Sequence, residues 1–317
     1  MISLCGSQSN LSANYIDGSD EGISISELLS PDRLGWRVTK TPVMSTAMGQ
    51  LVDSHQEIVR HNGDGSMVPL GLVGKERPAH QNHDVLDFWS TMAGQAGVDL
   101  SVTRWGHLDG GQICWFQADV NGDIYEPVNG DPVHRQLRGV WSPISRKAMI
   151  GAGTCFQQSC NNQFPMVLDE LKKHGLFKFK VTQNIDSRKS NWLEFHNQTG
   201  QSWDHFKEFA DWLARQSMSV GRFQRFLDAA LPVDLTLEDK RGTAPTIQKR
   251  EDLTTCFEDS QGVGKWRGFN MITRYGTHYA PMRGGSEQDQ QARRSFKQLE
   301  APVNGEQRQL VHVLRTI

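Results

Sequence analysis

The first half of the chain is patterned mainly with a period of two. Polar and β-forming residues alternate from 35 to 43, which predicts a half-buried strand. Residues 57–61 and 67–73 flank Asn62, Gly63, Asp64 and Gly65, which tolerate the positive φ of a tight turn, so a hairpin is expected. A short amphipathic helix follows over 84–93, where Val85, Phe88, Trp89 and Met92 recur at helical spacing behind Asn82 or His83. Residues 100–107 and 112–120 bracket Asp109, Gly110 and Gly111, and a second turn at Asn121, Gly122 and Asp123 leads into Ile124, Tyr125 and Glu126, which together predict a β-meander. Beyond Trp141 the pattern turns helical through Cys155, Phe156 and Cys160 toward residues 167–171. One more strand is expected at 177–181, where Lys178 and Lys180 alternate with Phe177, Phe179 and Val181.

The second half changes period. Trp203, Phe206, Phe209, Ala210 and Leu213, then Phe223, Phe226 and Leu227, predict two amphipathic helices parted near Ser219. Residues 231–245 read as a linker, and short helices are expected at 269–275 and 294–299. Strands first and helices later is the order of an α+β fold rather than of a parallel α/β sheet. The fold class is therefore α+β: an antiparallel β-hairpin and meander sheet backed by helices, with a helical C-terminal part. The expected organisation is an N-terminal arm over 1–30, rich in Ser, Asn, Gly and Asp, a core over 31–200, and a mainly helical region over 201–317 packing on that core.

Composition narrows the function classes. The chain has 317 residues, 37% hydrophobic and 22% charged, with a formal net charge of -2, so it can bury a core without staples, and a nucleic-acid site would have to be a local patch. Its five cysteines are scattered with no C-x-x-C pair, which argues for reduced thiols rather than a disulfide framework or a zinc finger. The N-terminus shows no secretory signal pattern, and no apolar run is long enough for a membrane helix. A soluble protein of the host cell cytosol, away from membranes, is the expectation.

Several motifs are weak. Gly71–Gly74 followed by Lys75 lacks the spacing and the Ser or Thr of a phosphate loop. Asp119, Asn121, Asp123 and Glu126 resemble the start of a calcium loop, but the glycine comes too early and the twelfth-position Glu is missing, so a hairpin turn is the better reading. His80, His83 and Asp84 form a candidate metal set that would suit a nucleic-acid-modifying enzyme. No nucleophile elbow, metalloprotease motif or cysteine nucleophile signature is present, so a non-enzyme with no cofactor is expected. Gln157, Gln158, Asn161, Asn162 and Gln163 form a polar cluster suited either to a phosphate backbone or to helix capping.

Basic and aromatic residues interleave more suggestively. They are Lys75 and Arg77, Arg104 with Trp105, Arg135 and Arg138 with Trp141, Arg146 and Lys147, Lys178 and Lys180, Arg188 and Lys189, and in the C-terminal part Arg267 and Arg274. Cations pair with phosphates and flat rings stack on unpaired bases, which is the chemistry of single-strand binding. The competing reading is a solvated strand face above core aromatics.

Residues 34–43, 72–82, 111–118 and 154–158, together with the closing segment 267–278, resemble the phage/plasmid-like protein family labelled domain of unknown function 932. In that family the third stretch follows a Gly-rich turn and the fourth lies near a Cys-Gln-Asn helix. The resemblance covers about residues 30 to 315 and implies no enzyme activity. A looser similarity links such hairpin-rich phage proteins to the single-strand annealing proteins of the eukaryotic Rad and phage Redβ type, and fold alone does not establish function. It implies an ATP-independent protein that holds single-stranded DNA by its backbone in a homo-oligomeric ring or filament and pairs complementary strands, with a phage exonuclease or host single-strand-binding protein as further partners. The rival reading is an accessory, antirestriction-like protein acting through a host protein.

Overall fold

The computed structural model describes residues 22–144, 149–157, 162–165, 176–179, 189–233, 240–281, 290, 294 and 305–317. Within these the chain is α+β. Three strands, β1 (Arg37–Ser45), β2 (Gln50–His61) and β3 (Met67–Gly74), form an antiparallel sheet in the order β1-β2-β3. A second sheet has the order β4 (Leu100–Leu108), β5 (Ile113–Tyr125), β6 (Val133–Trp141), β7 (Met149–Gln157), β8 (Asn162–Pro165), with β9 (Leu176–Phe179) also paired to β7. The helices are α1 (Asn82–Gln95), α2 (Lys189–Arg215), α3 (Val220–Ala230), α4 (Lys240–Asp259), α5 (Gly264–Arg274) and α6 (Gly305–Thr316).

These elements divide into two compact units interleaved in sequence. One comprises Met1–Ala118, Arg138–Gly151 and Lys178–Trp192, the other Asp119–Leu137, Ala152–Phe177 and Leu193–Ile317.

In the first unit α1 presents Val85, Leu86, Phe88, Trp89, Met92 and Ala93 to the core. Trp89 meets Phe116 edge-on at 5.3 Å, and Phe116 packs against Trp141. Two side-chain amides at the start of α1 tie this core together. Gln81 accepts from the Val38 backbone N–H (3.0 Å) and donates to the Val38 carbonyl (2.8 Å), as a neighbouring strand would. Asn82, fully buried, donates to the Leu34 carbonyl and accepts from the Trp141 indole, both at 2.8 Å. Of the expected N-terminal arm, residues 1–21 lie outside the described residues. From Ile23, which bridges to Val102, the chain enters a 3₁₀ turn (Ile25–Leu29) closed by a Ser24–Glu27 capping box, with Leu28 buried beneath it.

The second unit has an aromatic core. Phe223 stacks on Phe257 with centroids 4.2 Å apart, Trp203 stacks on Phe206, and Trp266 stacks on Phe269. Val133 is buried in the same cluster, and Tyr125 and Val128 pack on it. The Trp266 indole donates to the buried Asp131 carboxylate at 2.6 Å, and Asn270 donates to the same oxygen. The helix break expected near Ser219 is there: its hydroxyl caps α3 by accepting from the Arg222 N–H.

Three expectations are corrected. The segment after Trp141 is not helical, because residues 149–157 and 162–165 are strands of the second sheet. Residues 149–154 are buried without alternation, as in a strand covered on both faces, and so show no period of two. The turn expected at Asn121–Asp123 is absent: β5 runs unbroken through it, and Gly122 with φ of 85° marks a local irregularity in the strand. Part of the expected linker at 231–245 is helix, since α4 begins at Lys240 and runs through Pro245. Burial of Leu253, Cys256 and Phe257 on α4 outweighs the helix-breaking residue.

Asn82 gives a direct test of the first unit. Asn82→Ala leaves both the Leu34 carbonyl and the Trp141 indole without this partner, and should cost about 2–4 kcal/mol in urea unfolding, taking roughly 1–2 kcal/mol for each buried hydrogen bond lost. A loss under about 0.5 kcal/mol would show that the amide is not structural.

Candidate nucleic-acid interface

Among the described residues, most of the cations and rings that the sequence singles out are turned inward. Trp105 and Trp141 are buried, so neither ring offers a face to a base. Arg135 is buried in an ion pair with Asp123 (2.7 Å) and donates to the Thr199 hydroxyl (2.9 Å). Arg138 is buried and Arg104 is half-buried. Arg267 lies over the Phe257 ring and donates to the Phe257 and Glu258 carbonyls, where it satisfies the C-terminal end of α4. Arg274 pairs with Asp259 at the same helix end. The C-terminal basic excess thus includes cations that close α4.

Lys178 falls in β9 and Lys189 opens α2. Arg146, Lys147, Lys180 and Arg188 lie outside the described residues, as do Gln158 and Asn161 of the polar cluster. Lys75 and Arg77 are exposed, just past the end of β3. The turn that carries them is fixed by its backbone: the Lys75 N–H donates to the Ser54 carbonyl and the Arg77 N–H to the Gly74 carbonyl. Lys40 on β1 adds a third cation there, donating from Nζ to the Lys75 carbonyl at 2.7 Å. Glu76 is exposed between Lys75 and Arg77 and offsets part of this charge.

The three-stranded sheet also carries an apolar surface. Met44, Met48, Leu51, Met67 and Leu72 are each 58–68% exposed. Met44 pairs with Leu51 across β1 and β2 near the hairpin tip. Leu72 and Met67 pair with Glu57 and His61, which stand on one face of β2. The two edge strands hold Pro42 and Pro69, and a proline offers no N–H to a further strand at its position. The alternation legible in the sequence locates these strands but not which of their faces stays uncovered.

A second feature of the same unit was not legible in sequence. Arg60 on β2 lies over the Trp36 ring, its guanidinium carbon 4.5 Å from the centroid. Its Nη1 donates to His107 Nε2 (3.0 Å) and to the Gly110 carbonyl (3.2 Å). Arginine has no lone pair to offer, so His107 Nε2 is the acceptor and the neutral ring carries its proton on Nδ1. Burial, reinforced by the Arg60 charge, lowers the His107 pKa to about 4. Burial also lowers the Arg60 pKa, while burial raises that of the neighbouring Cys114 thiol. The Asp109–Gly111 turn beside them is left-handed throughout, with φ of 51°, 70° and 112°. A Cβ on Gly111 would come within 3.0 Å of the Trp36 ring, so the close approach needs glycine.

The metal set suggested by His80, His83 and Asp84 does not converge. His80 is buried, whereas His83 is exposed and pairs with Asp87 at 3.0 Å. Among the described residues no three His, Cys, Asp or Glu side chains are placed to hold a metal ion. A groove of about 830 Å³ in the second unit is lined by residues of α3 and α4, but its arginine, Arg250, is already bound to Asp228 and to the Leu227 and Leu231 carbonyls.

The buried imidazole makes stability depend on pH. Its folded pKa lies below the usual histidine value near 6.5, so as pH falls the unfolded chain takes the proton first and stability drops between pH 6.5 and 4. His107 alone should remove about 2 kcal/mol between pH 7 and 5. His107→Gln, which keeps an acceptor for Arg60, should reduce that slope in urea titrations. Part of the slope should persist, because burial lowers His80 and His196 as well. An unchanged slope would remove His107 as its source.

Neither the curated proteins nor the solved structures include a match to this chain. A family model described as Domain of unknown function (DUF932) matches residues 69–298, well over half of the 317 residues. The match begins within β3, takes in Lys75 and Arg77, and continues beyond Arg274 at the end of α5. The chain belongs to the DUF932 family.

Proposed function

We propose that this protein binds single-stranded DNA by its backbone and anneals complementary strands, working as an assembly of identical subunits and without catalysis. The observation that carries the reading is the three-stranded sheet, which with the hairpin joining β1 to β2 exposes five apolar side chains, and the cations Lys40, Lys75 and Arg77 gathered at the end of β3. Met44, Met48 and Leu51 are exposed around the β1–β2 hairpin tip, and apolar side chains exposed together favour association. Copies joined through them would repeat the cation group at regular intervals along a strand. Each phosphate contact is weak alone, but contacts made by linked subunits multiply.

Burial of Trp105 and Trp141 bears on which kind of single-strand protein this is. A protein that sequesters single strands stacks their bases on aromatic rings. With these two indoles in the core, the exposed contacts described at this surface are cationic, and bases would remain free to pair. Pairing itself then supplies the free energy of annealing.

Complementary oligonucleotides, light scattering and fluorescence annealing provide the test. Lys75→Gln with Arg77→Gln should weaken single-strand binding and lower the slope of log K against log salt by about 1.4, the value for two lost phosphate contacts. Met44→Ser with Leu51→Ser and Leu72→Ser should yield smaller assemblies that anneal slowly. A second reading draws on the same apolar side chains, which would equally suit a different protein as partner. A wild-type monomer indifferent to complementary strands would favour that reading and overturn annealing.

A further inference from the structure

Trp212 on α2 is 39% exposed, and no other Phe, Trp or Tyr side chain among the described residues is exposed. It follows Phe209 by three residues, and the two rings lie nearly parallel, at 17°, with centroids 6.1 Å apart. Phe209 belongs to the core of the second unit, so the pair leads from that core to the surface. Cations gather around it from three other helices. Lys265, at the start of α5, places Nζ 5.3 Å from the Trp212 ring centre and donates to the Arg315 carbonyl at 3.3 Å. Arg315, exposed in the last turn of α6, lies over Phe209 with its guanidinium carbon at 4.5 Å. Arg222 on α3 donates to the Ser217 carbonyl and hydroxyl, and its charge adds to burial in lowering the Lys265 pKa. None of these three cations makes an ion pair among the described residues. Of the nearby acids, Asp211 is taken by the Tyr125 hydroxyl and by Arg215, which leaves Glu208, one turn before Trp212. Cations held together without carboxylates favour an anionic partner, and the exposed indole favours a flat one.

We propose that Trp212 is a stacking site for one unpaired base of a nucleic-acid strand, with Arg315, Arg222 and Lys265 drawing in the phosphates beside that base. A strand carries a flat ring and a negative charge in every nucleotide, which is the pair of features this surface calls for. Arg315 is exposed and can touch a phosphate directly, whereas Lys265, only 4% exposed, acts through its field. Stacking on a ring is indifferent to which base is presented, so the site needs no particular sequence. The inference rests on the reading of a single strand as ligand and adds to it a contact with a base, made in the second unit. One ring per subunit engages one base and leaves its neighbours free to pair.

The test uses the full chain and two dye-labelled strands of equal length, oligothymidylate and an abasic strand, which keeps the phosphates and lacks the bases. Trp212→Leu should weaken binding of oligothymidylate about five- to hundredfold, the loss of one stacked base, and leave the abasic strand unaffected. Trp212→Phe keeps a ring and should recover most of that loss. Arg315→Gln should weaken both strands and lower the slope of log K against log salt by about 0.7, the value for one phosphate contact. Irradiating the wild type with a strand containing 5-bromouracil should attach the strand at Trp212, a readout that stands even where Trp212→Leu fails to fold. Equal affinity of Trp212→Leu and wild type for oligothymidylate, the same loss on both strands, or attachment only at other residues overturns the proposal. Strand binding that needs Trp212 but leads to no annealing keeps this site and removes the annealing reading, and annealing indifferent to Trp212 does the reverse. A wild type that binds neither strand overturns both.

Discussion

The amides of Gln81 and Asn82 hold the first unit in register. Gln81 occupies the N-cap position of α1, where a side chain ordinarily accepts from the first free N–H groups of the helix, yet it makes no such bond. Its amide is turned instead to Val38, closing both the donor and the acceptor of one β1 residue. The helix forgoes a stabilisation of about 1 kcal/mol so that the strand is fixed to it. Asn82, one residue on, uses its remaining geometry to join the chain at Leu34 to the indole of Trp141. An amide is suited to this place because it donates and accepts at once without bringing charge into the core. The second unit meets the same need at Trp266 with a carboxylate, Asp131, shared with Asn270.

What the sequence made legible follows from where burial is one-sided. The turn at Asn62–Gly65, the face of α1 and the break before Ser219 all sit where one side of an element is covered and the other wet, or where a turn demands a particular residue. β7 was not legible because both its faces are buried at 149–154 and its glycines add no period. α4 was hidden by Pro245, which punctuates a sequence even when tertiary packing carries the helix through it. β5 was cut short for the same reason, with Gly122 read as a turn.

Charge was harder still to read, because a residue type does not say what it faces. Arg135, Arg267 and Arg274 look in sequence like the cations of a nucleic-acid surface, and each is held by a carboxylate or by the last carbonyls of a helix. These partners lie between 9 and 15 positions away along the chain, so no local pattern announces them. Lys75 and Arg77 differ only in ending a strand at an exposed turn. The candidate interface is accordingly smaller than the sequence suggests.

The inward-turned arginines Arg60, Arg135, Arg250 and Arg267 are held in different ways. Arg135 and Arg250 each face a carboxylate, and Arg267 faces the negative end of a helix. Arg60 faces one carbonyl, a neutral imidazole and the π-cloud of Trp36. A cation over an indole gains about 0.5–2 kcal/mol, short of the several kcal/mol that desolvating a charge requires. His107 cannot accept on Nδ1 while Arg60 holds Nε2, and the indole can only donate, so neither ring offers Arg60 a further acceptor. Arg60 is thus held by dipoles and a ring face rather than by a carboxylate, and burial lowers its pKa.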